Sequence, residues 1–232
     1  MFSLSPLELE ALRLSLRVGF WSVAASLPFG ILVALLLARC DFPGKIVVNG
    51  IVHLPLVLPP VAVGYALLVL FGRRGAIGAW LYDSFGITVA FTWRGAAIAA
   101  ATMAFPLMVR AIRLSLESVD RKLESAARTL GAGPADVFAT VTLPLIAPGI
   151  ITGVILAFIR GLGEFGATIT FVSNIPGLTQ TLPLALYSLV QQPDGDAAAA
   201  RLAVISVVVA LLALLASELL ARRIARRIVS AV

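Results

Sequence analysis

Long apolar runs, most of them bounded by basic residues, set the rhythm of the chain. Residues 18–38 pass 21 positions without a charge between Arg17 and Arg39, and at 1.5 Å per residue such a helix crosses the roughly 30 Å of bilayer hydrocarbon. The same reading predicts spans at 46–72, 89–109, 148–166 and 202–221, the third interrupted only by Arg94. The second contains LPLVLPP at 54–60, whose Pro55, Pro59 and Pro60 have to kink or break a helix. Broken helices in membranes commonly line cavities, and this stretch is expected to do so. A turn around Pro43 and Gly44 joins the first two spans, and the segment after Arg73 and Arg74, with Gly75, Gly78 and Asp83, reads as a loop. Residues 178–190 are apolar but only 13 long, which suits an interfacial or re-entrant helix better than a crossing.

The expected class is an all-α membrane protein, a polytopic helical bundle of about five transmembrane helices. Composition strengthens this: 60% of the 232 residues are hydrophobic and 13% charged, where a soluble domain carries about 25% charge. The apolar runs are too long for the alternating strands of an outer-membrane barrel. A net charge of +6 would suggest nucleic acid in a soluble protein; here it reads as cationic loops beside anionic lipid, with no nucleic-acid partner. Arg39, Lys45, Arg110, Arg113, Arg121, Lys122, Arg128, Arg222, Arg223, Arg226 and Arg227 fall on one side of the five-span arrangement, and Arg13, Arg17, Arg73, Arg74, Arg94 and Arg201 on the other. The positive-inside rule then places the N-terminus outside and the C-terminus in the cytoplasm. Cys40 and His53 are single, so they cannot assemble a His/Cys metal site and read as packing residues. Glu8 and Glu10, with no basic run before the first apolar segment, mark a retained N-terminus rather than a signal peptide.

The most polar stretch, 117–145, changes the picture from a bundle to a machine part. Val119, Leu123, Ala126 or Ala127 and Leu130 recur at three- and four-residue steps, the stripe of an amphipathic helix. Glu117 with Arg121, and Glu124 with Arg128, are expected i,i+4 pairs, each worth a few tenths of a kcal/mol. Gly131 and Gly133 end this helix, Pro134 opens a second one with Val137, Phe138 and Val141 on one face, and Pro144 is expected to stop it. Two short angled helices could be a knob held in a groove of another protein or a pair lying on the headgroups; periodicity leaves both open.

The segment ESAARTLGAGPADVFATVTLPL, residues 124–145, resembles the EAA loop of permease subunits of binding-protein-dependent ABC importers. Ala126, Ala127, Gly131, Leu143 and Pro144 keep that family's spacing of paired alanines, a glycine four residues on, and a Leu-Pro pair twelve and thirteen beyond the glycine. Ser125 stands at the family's glutamate position, with Glu124 one residue earlier, about 100° around a helix. Similarity extends over 14–223 and is closest to the molybdate importer permeases, with sulfate and thiosulfate permeases next. FPGK (42–45), LPLVLPPVAVGYALLVLFGRRG (54–75) and RGLGEFGATITFVSNIPG (160–177) carry this finer match.

The resemblance implies a type I ABC importer permease fold, with a permease domain at 9–223, a coupling loop at 117–145 and a short cytoplasmic tail at 224–232. It implies that Glu124, Ala126, Ala127, Gly131, Leu143 and Pro144 dock on an ATPase subunit. The implied assembly is a homodimer in lipid in the bacterial inner membrane, with two cytoplasmic ABC ATPases and a periplasmic molybdate-binding protein. No cofactor is expected on this chain, ATP and Mg belonging to the ATPase; no GxxxxGK[ST] loop occurs in the sequence.

A tetrahedral dianion entering against an inside-negative potential costs about 4.6 kcal/mol per 100 mV, twice the single-charge value, so import at trace concentration needs that external energy source. Arg160 and Glu164, i,i+4 apart within a predicted span, are each costly there if unpaired. They read either as a structural pair or as a gate lining the pathway. Gly161, Gly163 and Gly166 allow close helix approach. Thr168, Thr170, Ser173 and Asn174 offer hydroxyl and amide groups for passing contacts with an oxyanion or for interhelical hydrogen bonds. Gln191 to Asp196 could meet a substrate-delivery protein or be a solvated loop. Two rival classes are an intramembrane hydrolase, disfavoured by a single histidine and no GxSxG motif, and an ATP-independent anion channel or transporter, disfavoured by the lack of a recognisable inverted repeat.

Overall fold

A computed structural model describes residues 5–229, and all regular elements among them are helical. Helix α1 (Pro6–Arg39) begins where Ser5 Oγ accepts the Glu8 N–H at 3.2 Å and the Glu8 carboxylate accepts the Ser5 N–H at 2.7 Å, a capping box with Pro6 at the first position. Its 34 residues run about 51 Å, well beyond the predicted span. In the following turn Gly44 takes φ +87°, and Lys45 Nζ donates to Asp41 Oδ1 at 3.0 Å, which holds the Asp41 carboxyl below its ordinary range.

The second predicted span is broken rather than kinked. Helices α2 (Lys45–Val57) and α3 (Pro60–Phe71) meet at 114°. Pro59 forces Leu58 into an extended conformation, φ −73° and ψ 145°, because its ring excludes the preceding residue from helical geometry. Pro60 then starts α3, where a missing N–H costs nothing. The predicted loop after Arg74 instead contains α4 (Ala76–Phe85), closed by Gly86 at φ +65°. Gly78 folds α4 so close to the end of α3 that a Cβ would run into the Phe71 and Gly72 carbonyls.

Helices α5 (Trp93–Ser118), α6 (Arg121–Thr129) and α7 (Pro134–Val137) lead through a π-helical turn, Phe138–Thr142, into α8 (Leu143–Leu162). Pro144 therefore does not stop a helix. The Leu143 N–H reaches back to the Phe138 carbonyl, and this wider turn makes room for a proline that would clash with, and fail to bond, the preceding α-helical turn. The fourth span ends early, at Leu162, and after Gly163 the chain restarts as α9 (Gly166–Val172). Helix α10 (Leu182–Val190) has nine residues, about 14 Å, so the 178–190 stretch does not form a crossing. Helix α11 (Asp196–Val229) closes the described chain; the side chains of Arg222, Arg223, Arg226 and Arg227 lie outside what is described, as do residues 230–232 of the predicted tail.

Four helical stretches among the described residues are long and apolar enough to cross, and the bent pair makes a fifth. Helix α5 is the axis, packed by α1, α2, α3, α8 and α9. Its N-terminal half joins Val18, Val63, Leu67 and Phe171 in one core, and its C-terminal half joins Val23, Leu37, Ile146 and Ala157 in another. Val48 and Val52 of α2 pack on the second core and α3 on the first, so the bent pair still carries the chain from one end of the bundle to the other. Ion pairs fix the ends: Arg201 of α11 meets Glu8 at 2.8 Å, and Arg39 meets Glu124 of α6 at 2.8 Å. Helices α1, α5 and α11 thus run one way and α8 the other.

Close backbone approach joins α3 to α9. A Cβ on Gly64 would lie 2.5 Å from the Ala167 carbonyl oxygen, and one on Gly166 would lie 2.8 Å from Pro60 Cβ. Glycine permits the backbones to meet, as small residues do at membrane helix crossings. Gly64→Leu is expected to destabilise by about 1–3 kcal/mol or more through overpacking against backbone that cannot move aside. Thermal unfolding of the purified protein in detergent checks this against Gly50→Leu, whose Cβ would meet open space.

Candidate functional site

The polar elbow lies at the end of the bundle where α1 and α5 finish. Asp120 caps α6 by accepting the Lys122 N–H at 2.9 Å, and the helix closes in a Schellman motif in which the Ala132 N–H bonds the Ala127 carbonyl at 3.2 Å and the Gly131 N–H bonds that of Arg128 at 3.0 Å. Gly131 sits at φ +92° with nothing within 4 Å of a Cβ position. Leu123 is 50% and Leu130 88% exposed. Among the described residues the predicted apolar stripe is therefore left largely open: Val119 packs on the inner core and Ala127 is half-buried, but Leu123 and Leu130 are uncovered. Ala126 and Pro144 are exposed, and Ala127 and Leu143 half-buried.

The expected pairs on this elbow are replaced by others. Glu117 pairs with Arg113 at 2.7 Å, because α5 ends at Ser118 and Arg121 opens a new helix. Glu124 turns away from Arg128: its Oε1 accepts Arg39 Nη2 at 2.8 Å and Thr142 Oγ1 at 2.9 Å. Arg39, 85 positions away, stood in the sequence as the fence of a span and one of the orienting charges, not as a partner of Glu124, and Thr142 carried no signal.

The pathway candidates do not converge on one site. Arg160 Nη1 meets Glu164 Oε2 at 2.6 Å, and the Glu164 side chain, 2% exposed, also accepts the Ala167 N–H at 2.9 Å through Oε1. The carboxylate thus bridges the break between α8 and α9 and sits at the N-terminal end of α9, where the helix dipole favours a negative charge. Gly163 ends α8 and makes no close helix approach; Gly166 does, against Pro60. Thr168 is buried, and Thr170 Oγ1 donates to the Gly166 carbonyl of its own helix at 2.9 Å. Ser173 follows α9 at φ +64°. Asn174 belongs to a different neighbourhood, where its Nδ2 donates to Ser188 Oγ at 2.7 Å and its Oδ1 accepts Gln180 Nε2 at 3.0 Å. These residues line a cavity of about 430 Å³ with Glu8 and Arg201, a pair that sequence reasoning did not find because the partners lie 193 positions apart. From 54–60, Pro55 lines a cavity of about 410 Å³ with Ser26 and Thr102, between α1, α2 and α5.

Sequence and fold comparisons agree with this architecture. A "Molybdenum transport system permease protein ModB" from Escherichia coli (strain K12) is 65% identical over 215 residues, covering 93% of this chain and 94% of that protein. Its namesake from Haemophilus influenzae is 54% identical over 222 residues, covering 96% and 97%. A chain in the crystal structure of a bacterial alginate ABC transporter in complex with alginate pentasaccharide-bound periplasmic protein shares the fold, with a TM-score of 0.75 at 21% identity over 95% of this chain and 80% of that one. The family described as "Binding-protein-dependent transport system inner membrane component" matches residues 26–226. With its helical crossings and this match across most of its length, the chain belongs to that family of multi-pass inner-membrane transport components.

Proposed function

We propose that the chain is the membrane subunit of an ATP-driven importer of molybdate, acting as a homodimer with two cytoplasmic ATPase subunits and a periplasmic molybdate-binding protein. The observation that carries this reading is the identity to two named molybdenum permeases over nearly the whole chain. The uncovered apolar side of α6, held out at one end of the bundle, supports its docking on an ATPase through Ala126, Ala127, Gly131, Leu143 and Pro144. ATP and Mg act on that partner, and the permease contributes the passage.

A second copy supplies the other wall of the passage. Helix α5 fills the centre of the bundle, whereas α2 has no buried residue and leaves Ile46 and Val57 more than 80% exposed. Lipid covers the remaining apolar surface. The basic residues orient the elbow and C-terminus to the cytoplasm and the N-terminus outside, with the permease domain at 9–223 and the tail at 224–232. Closure of the ATPases would draw two elbows together and open the passage outward.

The test is reconstitution in vesicles with the ATPase and binding protein. Molybdate-loaded binding protein should stimulate ATP hydrolysis and uptake, and sulfate should do so weakly. Stimulation by sulfate alone would reassign the substrate, and uptake without ATP would overturn the reading.

A further inference from the structure

Helix α6 has no buried residue and is joined to its neighbours by short links at 119–120 and 130–133, so its hold on the bundle depends on a few side chains. One oxygen, Glu124 Oε1, receives Arg39 Nη2 at 2.8 Å from the end of α1 and Thr142 Oγ1 at 2.9 Å from the base of α8. The Arg39 and Glu124 side chains are only 18% and 15% exposed, and Thr142 is buried. Arg39 lies in the last turn of α1 and Glu124 in the first turn of α6, so each charge also complements its own helix dipole. Neighbouring positions on a helix point about 100° apart. The Leu123 and Leu130 side of α6 is therefore left open while Glu124 is turned into the chain.

We propose that Glu124 is a positioning residue for energy coupling: the Arg39–Glu124–Thr142 contact joins the elbow to α1 and α8 and delivers movement of α6 into the membrane bundle. Helix α1 is continuous from this joint to Glu8, where the Arg201 ion pair ties it to α11 at the opposite end. A push on α6 is therefore passed along one helix to the far end of the molecule. The inference rests on the elbow being the ATPase-coupling loop, and it gives Glu124 an inward role in place of the docking role that the resemblance implies.

The experiment uses the reconstituted complex with molybdate and its binding protein, reading ATPase co-purification, ATP hydrolysis and uptake per ATP. E124Q and R39Q should co-purify with the ATPase and hydrolyse ATP, yet move on the order of tenfold less molybdate per ATP, with T142V between them and wild type. The charge-swapped R39E/E124R chain should recover coupling relative to R39E. If R39E fails to accumulate, restored accumulation in the swap reports the same contact, and no restoration overturns it. Wild-type uptake per ATP in E124Q, or loss of ATPase binding in E124Q but not in R39Q, also overturns the joint. Failure of the underlying coupling reading looks different: the wild-type chain would then show no ATPase binding or no ATP-dependent uptake.

Discussion

Replacing Gly131 with tryptophan is expected to reduce ATP-driven uptake to background while leaving the protein inserted and folded. The residue occupies the left-handed position of the Schellman motif at φ +92°, and a Cβ there would have nothing within 4 Å among the described residues. The backbone strain for a non-glycine residue is about 1–2 kcal/mol, confined to an exposed turn, and too small and too local to unfold five packed crossings. A complete loss of uptake would therefore report a surface that something else must approach. Gly131→Asn separates the two effects, because asparagine tolerates the left-handed region and adds little bulk; it should retain most uptake. Uptake assayed beside thermal unfolding decides the matter, and normal uptake in the tryptophan variant would remove the elbow from the coupling mechanism.

Arg160→Ala is expected to be the most destabilising single change at the break between α8 and α9. It would leave the Glu164 carboxylate, 2% exposed, with the Ala167 N–H as its remaining donor among the described residues. Removing one partner of a fully buried ion pair costs about 3–5 kcal/mol, and with Arg160 30% exposed the loss here is expected at or below the lower end, whereas replacing both by uncharged residues of similar volume is often neutral. Arg160→Met with Glu164→Gln should thus unfold close to wild type in detergent, with the glutamine oxygen still able to accept from Ala167. The same double variant separates the pair's two readings: full uptake at wild-type stability means structural glue, and lost uptake at wild-type stability means a gate. A single Arg160→Ala variant as stable as wild type would show that the carboxylate has another partner.

The crossings were legible because bilayer hydrocarbon imposes a length and an uncharged composition, and both can be counted along the chain. The elbow was legible for a related reason: an apolar stripe at three- and four-residue steps in an otherwise polar segment, punctuated by Gly131, Gly133 and Pro134, dictates local geometry from nearest neighbours alone. The misreadings fell where a local rule met a tertiary alternative. Pro144 reads as a stop, yet the π-helical turn at Phe138–Thr142 carries the helix through it. The 73–88 segment reads as loop because of its glycines, yet Gly78 is there to let α4 fold against α3. Glu117 and Glu124 had favourable partners four residues ahead, but a helix end separated one pair and the half-buried Arg39 outcompeted the other. The pathway candidates were grouped because they are consecutive, and the break after Leu162 sends them to different neighbourhoods.

The sequence by itself determined the solvent, the number of crossings, the place and chemistry of the polar elbow, and the family, since all of these depend on composition, spacing and short-range conformational preference. Only the tertiary structure decided which distant residues meet. Glu8 with Arg201, Arg39 with Glu124, and Gly64 against Ala167 are separated by long stretches of chain. Their pairing follows from how helices pack side by side, and nothing in the local pattern encodes it.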